Sequence, residues 1–182
     1  MWYRRGMTHD PIHGASMEFE REGEGLWVHT QLEPGGNLPE HFHPTLTETW
    51  EVVDGRAGVK LDGTWRELTP ADGPVLVNPY ARHALRNTSS ETVRLRCWVT
   101  PPGRLEEFLT ESARAAQEGL YNGRNLPTGL RGASWLSAFA LRFRDETVMT
   151  SPPPALQKVV LPVAARLTRR WRTSTAPLKL GP

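Results

Sequence analysis

Gly35-Gly36-Asn37-Leu38-Pro39-Glu40-His41-Phe42-His43-Pro44-Thr45-Leu46-Thr47-Glu48-Thr49-Trp50-Glu51-Val52-Val53-Asp54-Gly55 is the stretch on which the reading of this chain turns. Residues two apart on a β-strand point to the same face, so a strand through His41 and His43 sends both imidazoles into one space and turns Phe42 away. Pro44 to Thr47 is long enough for a turn. Glu48 to Val53 then reads as the antiparallel partner strand, with Glu48, Trp50 and Val52 on its inward face. A third histidine, His83, opens a separate strand in which His83, Leu85 and Asn87 alternate with Ala84 and Arg86. Three neutral imidazoles and one carboxylate suffice to hold a single divalent transition metal ion. Burying them in an apolar interior without a cation would leave costly unsatisfied groups. The expected metal ligands are therefore His41, His43, Glu48 and His83. This donor set suits Fe, Mn, Ni, Co, Cu and Zn alike, so ligand type does not choose among them.

Around this stretch the chain reads as short strands separated by turn signals. Leu26, Val28, Thr30 and Leu32 alternate on one face before Gly35-Gly36-Asn37 breaks the run. Asp54-Gly55 and Asp62-Gly63 are hairpin signals of the Asx-Gly type. Pro70-Ala71-Asp72-Gly73 precedes the short apolar strand Val75-Leu76-Val77. In Val93 to Val99, Val93, Leu95, Cys97 and Val99 alternate with Arg94, Arg96 and Trp98, which places the thiol inside. Such spacing is what an antiparallel sandwich or closed barrel requires.

The motif Gly35-x5-His41-x-His43-x4-Glu48-x6-Gly55 resembles the first motif of the cupin superfamily at every defining position. The second motif is met by Gly73, Pro79, His83 and Asn87. Ala81 stands where the family has a glycine, and the loop to His83 is one residue short. The resemblance covers roughly residues 25–100. It implies a mainly β fold, a jelly-roll barrel (double-stranded β-helix), followed here by about three C-terminal helices. It also implies a metal-dependent enzyme acting on a small organic molecule, first of all a dioxygenase-type oxidoreductase on a phenolic, flavonoid or dicarbonyl substrate, with dioxygen as partner. In similar dioxygenases the carboxylate equivalent to Glu48 loosens from the metal and takes the substrate proton, giving it a double role as ligand and catalytic base. Non-redox isomerase, lyase or polyketide-type cyclase chemistry fits the same ligands, and a non-catalytic small-molecule binder is a third reading. Pocket walls are expected from Trp50, Val52, Leu85 and Cys97, with Tyr80 and Arg82 near the mouth. A homodimer is expected from similar proteins.

The expected organisation is an N-terminal arm over 1–24, the barrel over 25–100 and a helical extension over 101–182. The change comes at Pro101-Pro102-Gly103, after which helical spacing appears over 104–121 and from 132 or 134 to 145. A third helix is expected to start at Ser151-Pro152-Pro153-Pro154 and run to about Trp171, kinked by Pro162. The net charge is +2, with an acidic excess in the barrel half and a basic surplus in the tail. Arg166, Arg169, Arg170 and Arg172 fit a solvated helix face and last turn better than a nucleic-acid or membrane contact. No helix pair for DNA, glycine-rich phosphate loop or GxSxG elbow is present. With a lone cysteine, no apolar leader behind Arg4-Arg5 and no membrane-length apolar run, the cytoplasm is the expected location.

Overall fold

The computed structural model describes residues 7–159, 161, 162 and 166. Ten strands come first: β1 (Thr8–Asp10), β2 (Ala15–Glu22), β3 (Gly25–Leu32), β4 (Asn37–Phe42), β5 (Thr47–Asp54), β6 (Ala57–Leu61), β7 (Thr64–Leu68), β8 (Val75–Val77), β9 (His83–Arg86) and β10 (Val93–Thr100). Two helices, α1 (Leu105–Gln117) and α2 (Gly129–Arg142), precede a last short strand, β11 (Val148–Met149). The strands form two antiparallel sheets, one in the order β1-β2-β3-β10-β5-β8 and the other β11-β4-β9-β6-β7. Leu26, Val28, Val52 and Val99 from the first and Ala57, Val59 and Leu85 from the second belong to one buried cluster. The sheets therefore share a core, as the jelly-roll expectation requires.

Alternation predicted the faces correctly. β10 buries Val93, Leu95, Cys97 and Val99 and leaves Arg94 and Arg96 exposed. At the β6–β7 hairpin, Asp62 and Gly63 both take positive φ, 46° and 88°, the backbone of a type I′ turn whose twist matches the flanking strands.

The expected pairing of the ligand strands is corrected. β4 pairs with β9 and β11, whereas β5 pairs with β10 and β8 in the other sheet. Alternation reports which side of a strand is buried and carries no information about its neighbour. Residues 43–46 cross from one sheet to the other, and Leu46, only 1% exposed, anchors the crossing in the core. Glu48 consequently approaches the histidines across the interior.

β1 and β2 lie ahead of residue 25 and extend the first sheet through the β2–β3 ladder. α1 packs on β1, and its Phe108 stacks with Phe139 of α2, which in turn meets Trp135 and Phe143. Residues 154–159 are helical, so the third helix begins where the prolines predict. Its expected run to Trp171, with Arg169, Arg170 and Arg172, lies outside the described residues, as do most of those following Pro162, where a kink is expected. Among the described residues no helix is long and apolar enough to cross a membrane.

Candidate metal centre

His41 near the end of β4 lies directly opposite His83, the first residue of β9, so antiparallel pairing brings two imidazoles together from distant parts of the chain. His43 follows immediately after β4. The ring atoms able to ligate from His41, His43 and His83 lie within 4.8 Å of one another, and the ring centroids are 4.2 to 5.2 Å apart. In each ring Nδ1 is tied to a backbone carbonyl: His41 to Pro39 at 2.7 Å, His43 to Glu146 at 2.5 Å and His83 to Ala81 at 3.0 Å. A carbonyl can only accept, so Nδ1 carries the hydrogen. In the neutral ring Nε2 is then the lone-pair nitrogen, the tautomer a metal ligand needs. The Nε2 atoms of His43 and His83 are buried without a hydrogen-bond partner.

Glu48 reaches this group from β5. Its Oε1 is 3.2 Å from Nε2 of His43 and its Oε2 3.1 Å from Nε2 of His83, and the Trp50 indole N–H donates to Oε2 at 2.8 Å. Burial opposes the carboxylate charge, yet the attraction of His43 and His83 outweighs it and holds Glu48 well below the usual carboxylate range. Burial likewise opposes a charge on His43, but the Glu48 anion raises it overall. His41 lies outside these carboxylate contacts. Burial, reinforced by repulsion from His83 and His43, pushes it well below its ordinary value and keeps it neutral. Three imidazoles, two with unanswered lone-pair nitrogens, and one ionised carboxylate are a donor set that fits a divalent metal ion.

The cluster opens into a cavity of about 120 Å³. Of the six expected wall residues, Trp50 and Cys97 line it. Burial pushes the Cys97 thiol well up, with Glu48 adding to the effect, so it serves there as an apolar group. Val52 and Leu85 instead fill the solid core. Tyr80 is 67% exposed and Arg82 is also on the surface, and neither touches the cavity. Inward alternation identifies a core-facing side chain but cannot tell packed core from open space. The short loop before His83 has its own solution: Tyr80, not Ala81, takes the left-handed conformation with φ 65°, and its N–H bonds the His43 carbonyl at 2.8 Å.

Sequence reasoning missed the rest of the wall. Leu105, Phe108, Leu109 and Ser112 of α1 close the cavity from the helical side, and Asp10, His13 and Thr30 join the lining from β1, the loop after it and β3. Nothing local in the sequence marks these residues, because only the tertiary fold brings them near. A larger open groove of about 1380 Å³ runs along α1 and α2. Its charged residues pair with one another, as in Arg21–Glu106 and Arg131–Glu118, and it contains none of the clustered histidines.

Residues 28–100 match a family model described as Cupin domain. They are a cupin domain. The matched segment holds all four candidate ligands, while β1, β2 and the helices lie outside it. Among curated proteins, this chain is 36% identical over 70 residues to "Polyketide synthase CurC" of Streptomyces cyaneus, covering 38% of this chain and 45% of that protein. It is 35% identical over 57 residues to "Oxidoreductase AOL_s00215g277" of Arthrobotrys oligospora, covering 31% and 22%. The chain thus spans less than half the length of these relatives. Among solved structures, an RmlC-like cupin from Shewanella frigidimarina aligns with a TM-score of 0.48 at 20% identity, covering 56% of this chain and 89% of that one. KdgF from Halomonas sp. aligns with a TM-score of 0.47 at 17% identity, covering 53% and 88%.

Proposed function

We propose that this protein is a metal-dependent enzyme acting on a compact organic molecule, an oxidoreductase that uses dioxygen on a phenolic or dicarbonyl substrate. The observation that carries the metal is the shared tautomer, with all three Nδ1 atoms held by backbone carbonyls and the Nε2 side of each ring left for the ion. The oxidoreductase class draws support from the curated relatives named as oxidoreductases, with 35% identity over 57 residues in one and 40% over 45 residues in another.

A bound divalent ion would supply Lewis acidity toward a substrate oxygen and a site for reaction with dioxygen. The chain's own residues do the rest. Glu48, ionised and beside the histidines, accepts the proton of an acidic hydroxyl or an enolisable carbon. The Trp50 N–H fixes one carboxylate oxygen, leaving Oε1 the freer one to receive it. Met17, Val28 and Leu38 line the cavity with apolar surface, and α1 covers it, which excludes bulk water from a reactive anion. A cavity of about 120 Å³ has the volume of roughly four waters at about 30 Å³ each, a size that favours a single-ring phenol or short dicarbonyl over a flavonoid.

The likeness to a protein named polyketide synthase favours one second reading, non-redox enolate chemistry at the same site. Oxygen-electrode traces with the metal-loaded protein, run beside anaerobic incubations, separate the two. Substrate consumption matched by oxygen uptake is the expected result, and turnover that proceeds equally without oxygen rejects the oxidoreductase assignment.

A further inference from the structure

The cavity has a second polar end that the candidate metal centre does not use. Asp10, the last residue of β1, accepts hydrogen bonds from the backbone N–H groups of Ile12 and His13 on one oxygen, at 2.9 and 3.1 Å. Its other oxygen receives His13 Nδ1 at 2.9 Å and the Tyr121 hydroxyl at 3.1 Å. Burial opposes the Asp10 charge, but the His13 contacts and the backbone donors keep the carboxyl below its ordinary range. An ionised carboxylate only accepts, so His13 Nδ1 carries a hydrogen and the ring is fixed with Nε2 on the opposite side. That Nε2 is buried and has no hydrogen-bond partner, while His13 itself is 7% exposed and lines the cavity. A second orphan lies in the same lining: Thr30 Oγ1, on β3, is also buried and unpartnered. Leaving a buried polar atom unpaired costs about 1–3 kcal/mol, and native structures rarely leave two in one small space without an occupant.

The geometry points to His13 as a substrate-contacting residue. Its Nε2 accepts a hydrogen bond from a hydroxyl of the occupant, with Asp10 positioning the ring and Thr30 Oγ1 offering the occupant a second polar partner from the same lining. The cavity thus selects a compact hydroxylated molecule, its apolar body resting on Met17, Val28 and Leu38. This assignment deepens the proposed function by defining the substrate class, and it rests on that reading only in taking the cavity as the site of reaction.

The test uses two probes of similar shape, phenol and toluene, with the full chain labelled with 15N at histidine, both metal-free and zinc-loaded. The 15N resonances of His13 are expected to show a protonated Nδ1 and a bare Nε2, and phenol but not toluene is expected to shift the Nε2 signal. His13→Phe keeps the volume and removes the acceptor. It is expected to lower the preference for phenol over toluene by about tenfold, the equivalent of roughly 1.4 kcal/mol. An Nε2 signal unmoved by phenol up to its solubility limit overturns the assignment and leaves water as the partner of the two orphans. A folded His13→Phe protein with its preference intact overturns it too. If the variant does not fold, the wild-type titration still decides. Binding of each of the six ions is followed separately: a phenol response in a protein that binds none of them keeps His13 and defeats the metal reading, and metal binding without a His13 response does the reverse.

Discussion

Substituting His41 by alanine is the cleanest probe of the metal centre, because His41 alone of the three histidines stands outside the close contacts with Glu48. Removing His43 or His83 would strip a buried carboxylate of a partner, a change that costs several kcal/mol by itself. Removing His41 gives up one hydrogen bond to the Pro39 carbonyl, about 0.5–1.5 kcal/mol, and leaves the Glu48 contacts with His43 and His83 in place. For the ion among Fe, Mn, Ni, Co, Cu and Zn that binds best, a free concentration one hundred times its Kd stabilises the wild type by about 2.7 kcal/mol. In a chain of this size each kcal/mol moves Tm by about 2–4 °C, so the expected rise is roughly 5–11 °C. Loss of one direct ligand is taken as at least a hundredfold in affinity, the upper end of what losing even an outer partner costs. The same ion concentration then only equals Kd, the stabilisation falls to about 0.4 kcal/mol, and the expected rise shrinks to about 1–2 °C. Differential scanning fluorimetry with a chelator control measures both shifts. An undiminished shift in folded His41→Ala would mean that the ion sits elsewhere, and no wild-type shift with any of the six metals would refute the centre altogether.

Glu48→Gln is expected to retain more metal than His41→Ala yet lose activity, since the amide can still offer an oxygen but cannot take a proton. Elemental analysis beside turnover checks this, and parallel loss of both would argue against a base role. Tyr80→Gly relieves a left-handed residue, φ 65°, on an exposed loop. Urea unfolding is expected to show a change between neutral and about 1 kcal/mol of stabilisation; a clear loss would show that the ring contact with Phe42 matters more than the backbone. Asp10→Asn is expected to destabilise by about 1.5–3 kcal/mol at neutral pH. The folded carboxyl titrates below the ordinary 3.8, so its contribution is present above that pH and is lost as pH falls through the folded value. The stability gap between wild type and variant should therefore be smaller at pH 3 than at pH 7, and a constant gap would contradict a stabilising Asp10 carboxylate.

Much of the centre was legible because its signals are local. His41, His43 and Glu48 lie within eight consecutive residues, and the two-residue period of a strand makes adjacent ligands converge. The alternation around Cys97 and the Asp62-Gly63 hairpin were readable for the same reason. The partner of β5 was not, since a buried face looks alike whichever strand lies beside it. Val52 and Leu85 went to the core because the interior of a sandwich is mostly filled, and where it opens depends on side chains from both sheets and α1. His13 and Asp10 carry no distinguishing pattern at three residues' separation. Their meaning comes from Tyr121, more than a hundred positions later.

The carbonyl of Glu146 holds the ring of His43, and β11 runs alongside the strand bearing His41. A fragment trimmed to residues 28–100 would keep every donor side chain and lose the braces that aim two of them. In this protein the boundary of the recognisable module is narrower than the piece that holds the candidate ligands in place, and grafting the site onto another scaffold would mean carrying over the return strand as well.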